Sequence, residues 1–444
     1  MKRARIILLL LICGSQLQAQ SVSSLKQCIA YGLQHHISRQ VYANEKLSAR
    51  SKSREARAGY LPSVNVNGGI DDNLKVQESV IPAGTFGPTE LRVAFTKKFA
   101  ATGSAQLDQT LYDQSLITGL KANKYNLRQA DLNEQLNDET IVYNICVAYY
   151  QIFVYKVQLS LLQANLQSYD EQLRISRLSV EKGVATEADL NKIQVNYNNT
   201  YSQIITAETN LRVSENQLKR NMGFPLDQTF AIDSLDSGDH QQRFLSAVNT
   251  NAFSTELLTD VKLSQVDIQL LEIDQRRIRA GALPKLTAYA RYGGNGFGDN
   301  LGQAFSTVSE FSAIGLKLNI PLFDGLKRNA QYTQARLKTV NARKNLELDK
   351  QEYNLGYQNN RTKLVQAKRS MDMDESNIRL AQSVFKSTDL QYQKGVTGLT
   401  DWLNAQSALK EAQTNYLNSL YDFYLAGIDL EKAKGTLIQF YNAL

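Results

Sequence analysis

The chain has 444 residues, 43% of them hydrophobic and 21% charged, with a formal net charge of +7. Lys2, Arg3 and Arg5 account for three of those charges, so the surplus beyond the N-terminus is +4, and no basic run interleaved with aromatics points to nucleic acid. Its histidines (His35, His36, His240) lack metal-ligand spacing, and neither a Gly-rich phosphate loop nor a Gly-x-Ser-x-Gly motif is present, so no catalytic, cofactor or metal site is expected.

The N-terminus joins those three basic residues to the apolar run Ile6–Ile12 and a small, polar stretch ending at Ala19. This is the pattern of a secretory signal peptide, residues 1–19, with cleavage after Ala19. Its apolar run is far below the ~20 residues of a membrane span. Cys13 follows Ile12, where a lipoprotein acylation site takes Gly, Ala or Ser. The other two cysteines, Cys28 and Cys146, are too isolated to form a disulfide framework. No later stretch approaches 18 uninterrupted apolar residues, so no transmembrane helix is expected.

Leu25–Gly59 is proline-free and helix-permissive, and Gly59 and Pro62 stop it. The period then changes to two. Val64 and Val66 alternate with Ser63, Asn65 and Asn67, predicting a strand over about 62–70. A turn-rich stretch to Pro88 precedes a second alternating run, about 91–107, with Leu91, Val93, Phe95, Phe99, Ala101 and Leu107 on one face. From Tyr112-Asp113 a proline-free segment runs to Lys182; as one helix of ~65 residues it is roughly 100 Å long, the signature of a coiled coil or helical barrel. A helix–turn–helix tip at 183–189 and a return helix to Gly223 follow, then a linker over 224–252.

Residues 253–444 repeat this order. Arg279-Ala-Gly-Ala-Leu-Pro284 restates Arg57-Ala-Gly-Tyr-Leu-Pro62, and strands are predicted at about 285–292 and 311–322, separated by a glycine-rich turn. Phe323-Asp324 opens the second long helix, which runs to Lys394, and its tip at 395–401 leads to a return helix. The tip YQKGVTGLTDWLNAQ is written once before: Lys182, Gly183, Val184 and Asp189 map onto Lys394, Gly395, Val396 and Asp401. The first repeat, 20–223, and the second, 253–444, are therefore an internal duplication.

Two strands per copy give four per chain. Four strands cannot close a barrel, and an open edge is not tolerated in lipid, so closure requires oligomerisation. Three chains supply twelve strands. The strands, at about 9–11 residues, are long enough to cross a bilayer. Small soluble sheets capping a helical bundle are the membrane-free alternative.

With these pieces in view, the chain resembles the TolC-like outer membrane efflux proteins, the outer membrane factors of tripartite efflux and type I secretion systems. Gly-Tyr-Leu-Pro with its echo Gly-Ala-Leu-Pro, Ile-Pro-Leu-Phe-Asp-Gly at 320–325, and Tyr392-Gln-Lys-Gly-Val followed by Asp401-Trp-Leu-Asn-Ala-Gln carry the resemblance. It implies a mainly α fold with a small β part. Long antiparallel hairpins form an α-barrel tunnel, and four strands per chain close a 12-stranded β-barrel in a homotrimer. It further implies a channel in the outer membrane of a Gram-negative bacterium, with its tunnel in the periplasm and with a periplasmic adaptor and an inner-membrane transporter as partners. Drugs, metals and secreted proteins all remain open as cargo. A periplasmic adaptor and a pore-free coiled-coil scaffold are the rival readings. An adaptor has one hairpin rather than two, and a scaffold has no need of strand pairs.

Asp189 and Asp401 each stand six residues after a tip glycine, where a carboxylate also suits the helix dipole. The resemblance places Asp401 at the tunnel constriction. It puts Asn404 where the family has a second acid, Asp189 and Tyr392 where neighbouring helices are tied, and Thr397 where a basic partner stands. Gly183, Val184, Ala185, Gly395 and Val396 become the adaptor-docking tips, and are also ordinary tight turns. Arg54, Arg57, Arg276, Arg277 and Arg279 precede the strands, either as a basic collar at lipid headgroups or as solvated helix ends. His35-His36 and the cluster Asp372, Asp374, Glu375 are read as solvated helix surface.

Overall fold

A computed structural model describes residues 24–85, 87–228, 232, 241–246 and 253–444. The signal peptide, its cleavage point after Ala19 and most of the 224–252 linker lie outside the described residues. The chain divides into two compact units. One comprises the chain up to Asn44, Asp131–Leu263 and Leu346–Leu444; the other comprises Glu45–Ala130 and Ser264–Asn345.

The helices in chain order are α1 (Leu25–His35), α2 (Ile37–Ala58), α3 (Gln114–Leu120), α4 (Asn123–Glu181), α5 (Glu187–Met222), α6 (Thr259–Ala280), α7 (Leu301–Ser306), α8 (Lys327–Gln393), α9 (Leu399–Lys434) and α10 (Leu437–Ala443). The strands are β1 (Ser63–Asp72), β2 (Glu78–Ile81), β3 (Leu91–Ala94), β4 (Phe99–Asp113), β5 (Lys285–Gly298) and β6 (Val308–Asn319). The first helix-permissive stretch is two helices rather than one. His36 leaves the helical region at φ −64°, ψ 127°, and its Nδ1 lies 2.7 Å from the Ser38 hydroxyl.

In the helical unit, burial along the hairpins recurs every three or four residues. On α4 it falls on Leu162, Asn165, Tyr169, Gln172 or Leu173, and Ser176; on α9 it falls on Trp402, Gln406, Leu409, Gln413 and Leu417. That is coiled-coil spacing, which keeps one seam of each helix against its neighbours along a length that no globular core could cover. Part of the seam is polar. Asn165 Nδ2 donates to Gln413 Oε1 at 2.7 Å, and Gln406 Nε2 donates to Asn165 Oδ1 at 3.2 Å, all three side chains being buried.

Away from the tips the seam widens into the main core. Leu25, Cys28 and Ile29 of α1 pack with Ile141–Val154 of α4, Leu218 and Met222 of α5, Leu417–Leu430 of α9 and Phe440 of α10. Phe244 stacks on Phe440 at 5.4 Å and meets Tyr150 and Phe423 edge-on. The stretch Gln114–Glu181 contains a window long and apolar enough to cross a membrane, and 44% of it is buried inside the protein. The buried run Ile141–Val154 of that stretch serves this core. Burial in the same core pushes the Cys28 thiol up to about 12 and Cys146 higher still.

The second unit holds a four-stranded antiparallel sheet ordered β1-β4-β5-β6 and a separate ribbon, β2-β3. Two sequence expectations change here. The run expected over 91–107 divides: β3 belongs to the ribbon and β4 to the sheet. The apolar alternation is interrupted there by Lys97 alone and resumes at Phe99, too slight a signal to divide the run. What ends the ladder is Asn73, one residue past β1, whose backbone N–H and side-chain amide take the Lys98 and Lys97 carbonyls at 2.7 and 2.9 Å.

The glycine-rich turn after 292 is instead strand, because β5 continues to Gly298. A side chain on Gly293 would fall 2.5 Å from the Gly103 carbonyl and 2.8 Å from the Phe311 ring, and one on Gly298 would strike the α7 backbone at 2.5 Å. Glycine here marks close approach within a sheet.

Candidate functional site

The residues singled out by the sequence lie mainly at the hairpin tips and around the four-stranded sheet.

Both tips are built alike. Gly183 and Gly395 adopt φ of 70° and 72°, a left-handed conformation that an L side chain resists. At the first tip Gly183 N–H donates to Val180 O at 2.9 Å and Val184 N–H to Ser179 O at 2.8 Å. At the second, Gly395 N–H donates to Tyr392 O and Val396 N–H to Gln391 O, both at 2.9 Å. This paired closure satisfies the last carbonyls of each helix and turns the chain back on itself. It leaves Val184 81% and Val396 74% exposed at the two apices.

The acids beside these turns have different partners. Asp189 accepts from the Thr186 hydroxyl at 2.8 Å, from Lys192 Nζ at 3.1 Å and, through its backbone N–H, caps back to Thr186 Oγ1. The Thr186 hydroxyl and then Lys192 hold its carboxyl below the usual carboxylate range. Asp189 is thus tied within its own first turn. Asp401 is exposed and accepts one bond, from the Thr397 hydroxyl at 2.6 Å, while Asn404, one turn on, is exposed as well. Thr397 therefore acts as a partner for Asp401. Tyr392 is half-buried and packs in the cluster of Tyr169, Leu173, Ile193 and Trp402.

Sequence reasoning passed over what holds the second tip together. Trp402, the chain's single tryptophan, is fully buried, and its indole N–H donates to Asp389 Oδ1 at 2.7 Å. Gln393 donates to the other oxygen of Asp389 at 2.9 Å. Tyr169 and Phe385 both meet the indole edge-on at 5.6 Å. A lone tryptophan immediately after the tip acid was the available signal; its partner, 13 residues upstream across a turn, had none.

The sheet separates chemistry by face. Its register aligns Val64, Leu107, Ala290 and Ile314 in one row, and Val66, Ala105, Tyr292 and Ser312 in the next row of the same face. The opposite face aligns Asn65, Gln106, Arg291 and Ala313, then Ser63, Asp108, Tyr289 and Gly315. On the apolar face Val66 and Ile314 are 79% and 86% exposed. Both edges, β1 and β6, are unpaired among the described residues.

Near the helix ends that lead into these strands, the five arginines do not act as one group. All five are exposed; Arg276 pairs with Glu272 at 3.1 Å and Arg277 with Asp274 at 2.8 Å. Among the described residues, no group of three or more His, Cys, Asp and Glu side chains is placed to hold a metal ion.

The chain is 24% identical over 392 residues to outer membrane protein TolC of Vibrio cholerae, covering 86% of this chain and 84% of that one. It is 25% identical over 337 residues to the alkaline protease secretion protein AprF of Pseudomonas aeruginosa, covering 74% and 69%. Its fold matches the crystal structure of the outer membrane protein VceC of Vibrio cholerae with a TM-score of 0.71 at 16% identity, over 93% of this chain and 96% of that one. A family model described as outer membrane efflux protein matches residues 40–224 and 260–436, both copies of the duplication. Duplicated hairpins, paired strands and sequence kinship together make this chain a member of the outer membrane efflux protein family.

Proposed function

We propose that three copies of this chain close a 12-stranded barrel in the outer membrane and continue as a helical tunnel through which substrates leave the cell. The carrying observation is the sheet, with one uncovered apolar face, one polar face and two unpaired edges. In lipid every ladder edge must be satisfied, and a neighbour's β1 against β6 satisfies both at once. The apolar rows then face the acyl chains, and the rows with Asn65, Gln106 and Arg291 line the pore. The chain is a passive conduit, not an enzyme, with energy supplied by an inner-membrane transporter reached through a periplasmic adaptor. The exposed Val184 and Val396 on their glycine turns are the adaptor's docking points, and Asp401, with Asn404 beside it, sets the charge of the tunnel mouth. Asp189, Tyr392 and Thr397 act as local tip restraints. The test is the mass of the detergent-solubilised protein recovered from outer membranes. A particle of three chains is expected, and a stable monomer overturns the proposal.

A further inference from the structure

A cleft of about 500 Å³ lies beside the strand-bearing ends of α2, α4 and α6, with Arg57, Lys121, Lys124 and Arg276 around it and Leu120 and Ile273 in its wall. Two of these cations were legible as helix-end arginines; Lys121 and Lys124 were not. Their charge is scarcely balanced. Glu272 is shared between Arg276 at 3.1 Å and Arg343 at 2.5 Å, and among the described residues no ion pair engages Arg57, Lys121 or Lys124.

The solvated-helix-end account covers Arg57 and Arg276, which sit near C-termini where a cation is favoured. It fails for Lys124. This residue is second in the 59-residue helix α4, at the positive end of the dipole, where a cation is disfavoured and an anion is attracted. Its ammonium rests over the Tyr125 ring at 4.7 Å, and both residues line the cleft. Four cations therefore converge, one of them against local electrostatic preference, on a pocket with Leu120 and Ile273 in its wall. That combination fits a ligand with an anionic head and a hydrocarbon body.

The position selects the ligand. Arg57 stands six residues before β1, Arg276 nine before β5, and Lys121 eight after β4. At helical and extended rises, that is on the order of 10–20 Å from the strand ends, the depth at which headgroups lie beside the hydrocarbon core. We propose that this cleft binds the phosphate headgroup of an anionic phospholipid in the periplasm-facing leaflet, one lipid per chain, with its glycerol and first acyl carbons against Leu120 and Ile273. The inference rests on the membrane reading above.

The test is native mass spectrometry of the full-length assembly, delipidated and titrated with phosphatidylglycerol or phosphatidylcholine in detergent. Phosphatidylglycerol is expected to add one tightly held adduct per chain. Each lysine removed should weaken it about fivefold, so that Lys121→Gln/Lys124→Gln lowers affinity roughly 25-fold. Lys121→Arg/Lys124→Arg should retain binding, and Lys386→Gln, on α8 beside the second tip, should leave it unchanged. Equal retention of the two lipids, or loss of phosphatidylglycerol with Lys386→Gln as well, overturns the proposal. So does displacement by millimolar inorganic phosphate with no residual preference for the lipid, which would make this a free-phosphate site. Failure of the membrane reading looks different: the protein would be absent from outer membranes before any lipid is added.

Discussion

Replacing Trp402 with phenylalanine isolates the contact that locks the second hairpin tip. The ring position is kept, so the edge-on packing with Tyr169 and Phe385 survives in part, while the N–H donor is lost. A hydrogen bond to a carboxylate is worth about 1.5–3 kcal/mol, and a smaller ring in a fully buried site adds a cavity cost of about 1 kcal/mol. Asp389 is half-buried and keeps Gln393 as a donor, so the hydrogen-bond loss falls at the bottom of its range. The sum is about 2.5 kcal/mol of local stability, or roughly 60-fold in the opening equilibrium. Amide hydrogen exchange across 385–406 reads that equilibrium directly, and should accelerate by this factor while the main core around Tyr150 stays protected. Asp389→Asn keeps an acceptor without its charge and should give a smaller effect. If Trp402→Phe leaves exchange at 385–406 unchanged, the indole bond does not hold the tip, and packing by Tyr169 and Phe385 alone accounts for its order.

Three further outcomes follow from the geometry. Val66→Lys should impair recovery of assembled protein in outer membranes, since a cation on the lipid face costs ~2–4 kcal/mol at mid-bilayer, while the adjacent Asn67→Lys, on the pore face, should be tolerated; outer-membrane yield and heat-stable oligomer on gels compare the two. Asp401→Asn should preserve assembly and lower cation preference, and Asn404→Asp should raise it, as measured by reversal potentials across planar bilayers under a salt gradient. Asp189 has a folded-state pKa below its ordinary value of 3.8, because the Thr186 hydroxyl and Lys192 favour the carboxylate. Its stabilisation of the first tip is thus complete above that ordinary value and lost as pH falls through the lower folded one. Pepsin cleavage near Leu190 should rise across that window in the wild type, and Asp189→Asn should flatten the dependence.

The duplication, the glycine turns and the course of the long helices were legible because each is written locally: a proline-free run, a left-handed position, a repeated tip. The first run, expected as one helix, is broken at Lys121–Ala122 into α3 and α4. The sheet was legible in part. Val64 and Val66 announced a strand, yet nothing in the 91–107 alternation announced that Asn73 would cap the ladder at Lys97 and Lys98. Gly293–Gly298 misled because glycine serves both turns and close strand packing, and only the positions of Phe311 and α7 decide between them. The charged residues were visible as types and invisible as partners. Arg277 goes to Asp274, Asp401 to Thr397 and Trp402 to Asp389, each choice made by side-chain geometry across a turn of helix or of the tip.

The buried amides Asn165, Gln406 and Gln413 bear on how such a long structure is assembled correctly. A seam of leucine and alanine alone tolerates sliding by one heptad, because each slipped alignment again places apolar side chains in apolar holes. Here Gln406 and Gln413 stand one heptad apart on either side of Asn165, so such a slip keeps one of its two amide bonds, breaks the other and sets a leucine or alanine seam position against an amide, at a cost of about 1–3 kcal/mol. Misaligned intermediates are therefore less stable than the native pairing by more than thermal energy, and they come apart instead of persisting. The amide ladder proofreads α4 against α9.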